Sequence, residues 1–141
     1  MFPNLQREGG PFVVALGAII GPNPSVGVVV AVPALSNMTD GTPTGDGATN
    51  ATVDTTVGNG TLYWAVVTDG GSATDQQIKA GSGGDIVSGV SGSQAVSGTG
   101  TQTIALIEGL EPSTAYQILF LQTNSIGSDS AQASVDLTTT A

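Results

Sequence analysis

The side chains that most often carry out chemistry are scarce in this chain of 141 residues. It contains neither histidine nor cysteine, which excludes a Ser-His-Asp triad, a thiolate nucleophile and the usual zinc ligands. Glu108 and Glu111 are close enough in sequence to form a carboxylate pair. Because no further acid or base accompanies them, the favoured interpretation is two solvated charges at a turn. The composition predicts a protein that is not an enzyme and has no cofactor, with a carboxylate hydrolase as the catalytic alternative.

Two short segments resemble ligand-binding loops without completing the pattern. Residues 40–47 place oxygen-bearing side chains at alternate positions, as a calcium loop does, but the closing bidentate glutamate is missing. An acidic turn is therefore the favoured interpretation of this segment. Gly81–Gly84 is glycine-rich, yet no Lys-Ser/Thr pair follows it, so it is not a phosphate-binding loop. The sequence predicts no metal site.

Charge excludes two classes of partner. Eleven acidic residues stand against only Arg7 and Lys79, for a formal net charge of −9. Binding to nucleic acid requires a cluster of basic side chains to neutralise phosphates, and attachment to an anionic membrane surface has the same requirement. We therefore expect no nucleic-acid and no membrane partner.

Beyond about residue 34 the sequence alternates apolar and polar positions between turn signals, which is typical of short antiparallel strands. Leu62, Trp64 and Val66 share one face of a strand, and Ile104 and Leu106 are expected to point inward from another. Seven strands are predicted, over Pro33–Met38, Thr49–Val57, Gly60–Thr68, Gly92–Ser97, Thr101–Ile107, Thr114–Thr123 and Ala131–Thr139.

The connections between these strands carry their own signals. Val57–Gly60 reads Val-Gly-Asn-Gly, which predicts a tight hairpin. Thr74–Ala80 is the one helix-like turn, with Thr74 and Gln77 in capping-box positions and Gly81 as the stop. Residues 81–100 are rich in glycine and serine, which predicts a flexible loop with a weak edge strand.

One segment carries a family resemblance. In residues 109–120 a turn leads into a strand that opens with Tyr116 and continues with Ile118 and Phe120 on the same face. This segment resembles part of a fibronectin type III domain, in which the tyrosine ties down a corner. The residues that carry the resemblance are Leu110, Pro112, Thr114, Tyr116, Asn124, Ser125, Gly127 and the closing Val135–Thr139. More narrowly, Gly58–Trp64, Gln77–Gly81 and Gly92–Val96 resemble a variant common in structural proteins of tailed bacteriophages. The resemblance implies an all-β, fibronectin type III-like (Ig-like), seven-stranded antiparallel β-sandwich over residues 35–141.

Residues 1–34 lie outside that resemblance and are predicted to form an extended apolar arm. Residues 9–35 carry no charge, and two apolar runs are separated by a Gly-Pro-Asn-Pro break. Each run is too short to span a bilayer, and a signal peptide is the alternative interpretation. Val28–Val30 would be apolar on both faces of a strand. This favours packing against another molecule over folding back on the same sandwich.

These observations predict a virion structural protein on the surface of a phage particle. The first hypothesis is a capsid decoration (cement) protein, and the alternative is an adhesion module of a tail or fibre. The expected partners are the major capsid protein or another virion protein, together with sister copies in a closed oligomer such as a trimer. The residues predicted to bind these partners are Phe12, Val13, Val14, Leu16, Ile19, Ile20, Val28, Val29 and Val30.

Overall fold

A computed structural model describes residues 31–141 as eight strands and one short helix. The nine residues predicted to bind a partner, from Phe12 to Val30, lie outside the described residues. The elements are β1 (Leu35–Thr39), β2 (Thr42–Thr44), β3 (Gly47–Thr55), β4 (Thr61–Thr68), α1 (Asp75–Ala80), β5 (Ile86–Ala95), β6 (Gly100–Glu108), β7 (Ala115–Thr123) and β8 (Ala133–Thr138).

The strands form two antiparallel sheets that pack into a sandwich. One sheet has the order β8-β7-β4-β5, and we call it the helix-covered sheet. The other is built around β3, which pairs with β6 along one edge and with β1 and then β2 along the other. We call it the open sheet. The two-sheet antiparallel sandwich agrees with the sequence-based expectation at this level.

The main core fills the space between the sheets. Tyr116, Ile118 and Phe120 point into it from β7, as their alternation predicts, and meet Leu62 and Val66 from β4. Trp64 packs at the edge of this cluster, against the backbone of Gly92 in β5. A side chain at residue 92 would collide with the indole. The open sheet supplies the facing side of the core, with Ala48, Ala51, Val53, Ile104 and Ile107.

A second apolar cluster lies on the outer face of the helix-covered sheet. Ala65, Val67, Leu119 and Leu121 point outward from β4 and β7, and Ile78 of α1 packs over them. The capping box predicted from sequence is confirmed. The Thr74 side chain accepts from the Gln77 amide, the Gln77 side chain accepts from the Thr74 amide, and Gly81 ends the helix at φ +70°.

In the open sheet, the alternation of inward and outward side chains shifts by one residue midway along β3 and β6. Asn50 adopts φ +59°, a left-handed conformation, and the regular alternation breaks on both strands at this level. As a result Ala48 and Ala51, three residues apart, are both buried, and so are their partners Ile107 and Ile104. The prediction that Leu106 points inward is therefore wrong: its side chain is 51% exposed.

Three further predictions from sequence need correction. Residues 31–141 contain eight strands where seven were predicted, because β2 continues the edge strand after a break at Asp40 and Gly41. Val57–Gly60 is not a hairpin, because β3 and β4 belong to different sheets and the segment crosses between them. Part of the segment 81–100 was expected to be a flexible loop, but residues 86–95 form the ten-residue strand β5.

Candidate interaction surface

The sandwich has two distinct ends. At one end, which we call the arm end, the described chain begins at Ala31, and the connections β3–β4, β5–β6 and β7–β8 meet there. At the other, which we call the corner end, the turn between β2 and β3 meets the β6–β7 connection and the last residues of the chain. Backbone bonds from Leu110 to Asp46 and from Thr140 to Thr44 join these segments.

The corner end is held by Tyr116 and Thr139. The Tyr116 hydroxyl accepts a hydrogen bond from the Glu111 amide at 3.1 Å, which confirms the predicted tie between this tyrosine and the corner. The Thr139 hydroxyl donates to the Glu111 carbonyl at 2.6 Å and accepts from the Thr114 amide at 2.9 Å. The corner is thus fixed to β7, the strand that follows it, and to the last residues of the chain.

The arm end is held by a buried amide. Gln122 is fully buried near the end of β7. Its Nε2 donates to the carbonyls of Val57 and Asn59, each at 2.8 Å, and its Oε1 accepts from the Thr55 hydroxyl. Because every polar atom of this side chain has a partner, its burial does not carry the cost of an unsatisfied group. The amide joins the helix-covered sheet to the end of β3.

A second amide fixes the direction in which the chain approaches the sandwich. Asn124 is 3% exposed, and its Nδ2 donates to the Ala31 carbonyl at 2.9 Å. Its Oδ1 accepts from the amides of Ile126 and Ser128, so one side chain holds both the β7–β8 turn and the start of the described chain. Ala34 and Thr56 are joined by two further hydrogen bonds. The last residues of the predicted arm, 31–34, are therefore anchored at the arm end.

Two large apolar side chains are exposed at this end. Val32 is 59% exposed and follows Ala31, whose carbonyl accepts a hydrogen bond from Asn124. Ile126 is 64% exposed, and its amide donates a hydrogen bond to Asn124. Leu106 is the other large apolar residue exposed in the described part of the chain. Sequence reasoning did not single out Ile126, and it named Asn124 only as one of the residues that carry the family resemblance, without a role. The alternation of the strand could have indicated Asn124, because Gln122 and Asn124 continue the row of alternate residues that begins with Tyr116 and points inward.

Charge is distributed unequally between the two ends. The turns and strand ends of the corner end carry five carboxylates, those of Asp46, Asp69, Asp85, Glu108 and Glu111. The arm end itself carries two, Asp54 near the end of β3 and Asp129 in the β7–β8 connection, and Asp75 of α1 lies close to that connection, where it accepts from Gln132 at 2.7 Å. Asp54 and Asp129 have polar partners, as Asp46 and Asp85 do at the corner end. The arm end therefore carries fewer carboxylates than the corner end, and it bears exposed apolar groups.

The partners of the two arm-end carboxylates lower their pKa values. The Lys79 ammonium lies 2.8 Å from Asp129, and this contact, with a hydrogen bond from Thr123, lowers the pKa of the Asp129 carboxyl. Hydrogen bonds from Thr101 at 2.6 Å and Asn37 at 2.9 Å lower the pKa of Asp54. Each carboxylate thus stays ionised to lower pH than an isolated aspartate.

The carboxylate pair and the Asp46 end of the calcium-like segment lie at the corner end. Glu108 ends β6, and Glu111 contributes its backbone to the tyrosine corner. Asp46 lies in the turn between β2 and β3, where its carboxylate accepts from the Thr44 hydroxyl. Residues 31–141 form no pocket, and they bring together no group of three or more carboxylates that could hold a metal ion.

No helix among the described residues is long and apolar enough to cross a membrane. Comparison with known proteins identifies no relative: no protein-family model matches the chain, and no curated protein matches it in sequence.

Proposed function

We propose that this chain is a non-enzymatic structural protein of a phage virion, a capsid decoration (cement) protein. Residues 1–34 attach it to the major capsid protein or another virion protein, and the sandwich projects outward. The observation that carries the proposal is the difference between the two ends of the sandwich. The predicted arm joins it at the end that carries fewer carboxylates and bears Val32 and Ile126, while the more acidic corner end lies opposite.

The fold supports the proposal through its resemblance to fibronectin type III domains. Strands β3 and β6 with the split edge strand β1–β2 face a sheet in the order β8-β7-β4-β5, which is a sheet order expected of such a domain. The tyrosine corner belongs to the same pattern. The narrower resemblance to phage structural modules rests on sequence segments that lie on β4, α1 and β5.

The arm and the sandwich have complementary roles in this mechanism. An apolar segment with two apolar faces gains free energy when both are covered, as happens when a strand is added to a sheet of another protein. The many equivalent sites of a symmetric shell turn a modest contact into firm retention when sister copies are linked. The outward acidic end keeps decorated particles apart by charge repulsion.

The test is reattachment to particles of the phage that encodes the chain, after the native copies have been stripped. We expect the full chain to rebind and residues 31–141 alone to remain in solution. A full-length variant with Val28, Val29 and Val30 replaced by serine should bind at least ten-fold more weakly. Its matched control replaces three exposed residues of the corner end, Glu108→Gln, Glu111→Gln and Asp69→Asn, and should bind as the unmodified chain does.

Circular dichroism of the Trp64 band in each variant shows whether the sandwich is folded, so a loss of binding can be assigned to the arm. Binding of residues 31–141 at full strength would overturn the role of the arm. Labelled protein found only on tails would overturn the decoration role in favour of the adhesion alternative.

A further inference from the structure

A sandwich of two sheets has four edge strands, and three of them here carry features that hinder pairing with another chain. The β1–β2 edge contains a register shift, Pro43 and two aspartates nearby. On the helix-covered sheet, β5 is broken by a register shift and by Gly89 at φ +81°, and β8 is short, carries Asp136 and lies beside β1. Bulges, proline and charge are the devices by which sheets avoid pairing with other chains.

The fourth edge strand, β6, contains no proline and no register shift, and its one irregularity is the break in alternation opposite Asn50. Its pairs with β3 keep the same register on both sides of that break, from Gly100 to Glu108. Residues 100–107 include no proline and no charged side chain. In the described part of the chain, no backbone hydrogen bond joins this strand to anything but β3 and its own turn. Residues 31–141 therefore leave the outer row of backbone groups on β6 unpaired.

The side chains next to this edge suit an interface. Thr101 and Thr103 are exposed on the outer face, and Leu106 is 51% exposed beside them. Thr103 pairs with Thr52 of β3, which in turn pairs with Thr39 of β1, so a row of uncharged hydroxyl side chains crosses the three strands. The carboxylate near this face, Asp54, is held by hydrogen bonds from Asn37 and Thr101.

Charge selects the occupant of this edge. Two copies of a chain with net charge −9 can meet only where few carboxylates oppose one another. If two β6 strands pair antiparallel about a two-fold axis, their uncharged residues lie together and the two Glu108 side chains lie at opposite ends of the interface. Any other edge of the described sandwich would bring an aspartate or a bulge into the contact.

We propose that a second copy of this chain pairs with the first through β6, antiparallel and about a two-fold axis near Ile104. The two open sheets then become one continuous sheet, and each Leu106 packs on the neighbouring hydroxyl row. The inference deepens the oligomer that the proposed function expects, and it replaces a trimer with a two-fold contact as the unit of assembly.

Cysteine cross-linking tests this arrangement directly, because the full chain contains no cysteine of its own. With the axis near Ile104, residue 103 of one copy faces residue 105 of the other. An equal mixture of the Thr103→Cys and Ala105→Cys chains should therefore form disulfide-linked dimers on mild oxidation. Two copies of Thr101→Cys would place their sulfurs about 20 Å apart along the strands, too far for a disulfide.

The matched control is Ser134→Cys, an exposed position on the edge strand β8, which should remain uncross-linked. Cross-linking that is as efficient at residue 101 or at residue 134 as in the 103/105 mixture would overturn the proposal.

Sedimentation of the full chain supplies an independent reading. We expect twice the mass of one chain, and we expect Thr103→Glu to raise the dimer dissociation constant at least ten-fold, because it adds like charge at the contact. Ser134→Glu should leave the mass unchanged. A single-chain mass at every concentration would overturn the proposal, as would an assembly that survives Thr103→Glu, since the apolar arm would then be holding it.

These readings are separate from the test of the proposed function. Failure of the full chain to bind particles, with intact cross-linking at 103/105, would remove the decoration role and leave the β6 contact. Binding to particles without cross-linking would do the reverse.

Discussion

The helix-covered sheet and the open sheet share one core but differ on their outer faces. On the helix-covered sheet, Leu119 and Leu121 of β7 are buried under Ile78 of α1. On the open sheet, the outer face is lined mainly by hydroxyl groups, with Leu106 as its large exposed apolar side chain. The difference follows from the sequences of the central strands. Apolar residues are nearly continuous in β7, whereas β3 contains polar residues between its buried alanines and valine.

This contrast separates two tasks within one small sandwich. A sheet that is apolar on both faces needs cover on both, and this chain supplies the second layer from its own six-residue helix. A sheet that is polar on its outer face needs no cover, and its surface is free for other purposes. Among residues 31–141, the helix-covered sheet is therefore covered on both faces, whereas the open sheet is covered only on its inner face.

A matched pair of leucine truncations on the two outer faces tests this difference most directly. Leu121→Ala removes a fully buried side chain from beneath α1 and should lower the free energy of unfolding by about 2–5 kcal/mol. Leu106→Ala removes a half-exposed side chain and should change it by less than about 0.5 kcal/mol. Urea denaturation of both variants at low protein concentration provides the measurement. Equal costs would mean that the two outer faces do not differ in the way described.

A smaller effect is expected where the two sheets are joined at the corner end. Tyr116→Phe keeps the buried ring in the core but removes the hydroxyl that accepts from the Glu111 amide. We expect a loss of about 1–2 kcal/mol in the free energy of unfolding, because the partly buried amide loses its partner. Hydrogen exchange at Glu111 should become faster, while exchange within β4 stays slow. Unchanged exchange at Glu111 would show that the hydroxyl does not hold the corner.

The smallest effect concerns the tether between α1 and the β7–β8 connection. Asp129→Asn removes the ion pair with Lys79 and should cost no more than about 1 kcal/mol, since both side chains are partly exposed. The pKa of Asp129 is lowered in the folded state. Its contribution is therefore complete above the unfolded pKa of about 3.9 and is lost as pH falls through the lower folded value.

The measurement for this variant is the urea midpoint as a function of pH. The unmodified chain and Asp129→Asn should differ at pH 6 and converge toward pH 2. High salt should reduce the difference at pH 6. A difference that persisted at pH 2 would assign the effect to hydrogen bonding or packing rather than to charge.

Sequence reasoning predicted the features that depend on local periodicity. The inward row of Tyr116, Ile118 and Phe120 follows from alternation, and the cap of α1 follows from the spacing of Thr74, Gln77 and Gly81. These signals act over a few residues and need no knowledge of the partner strand.

The features that depend on distant partners were not predicted. The exposure of Leu106 results from the left-handed turn of the backbone at Asn50 on the paired strand, and alternation within β6 does not reveal it. The role of Asn124 depends on Ala31, which is 93 residues away in sequence. The nine predicted partner-binding residues lie before the described part of the chain, so their role remains a prediction.

The anchorage of residues 31 and 140 at opposite ends of the sandwich also determines how the molecule would respond to mechanical load. Ala31 is held at the arm end and Thr140 at the corner end, so a pull between these points acts along the strands. Strand β1 begins at the arm end and runs antiparallel to β3, and this load would try to slide the two strands past each other. In that geometry several backbone hydrogen bonds must yield together instead of opening one after another. A sandwich attached in this way is suited to withstand tension between a surface and whatever is joined to its far end.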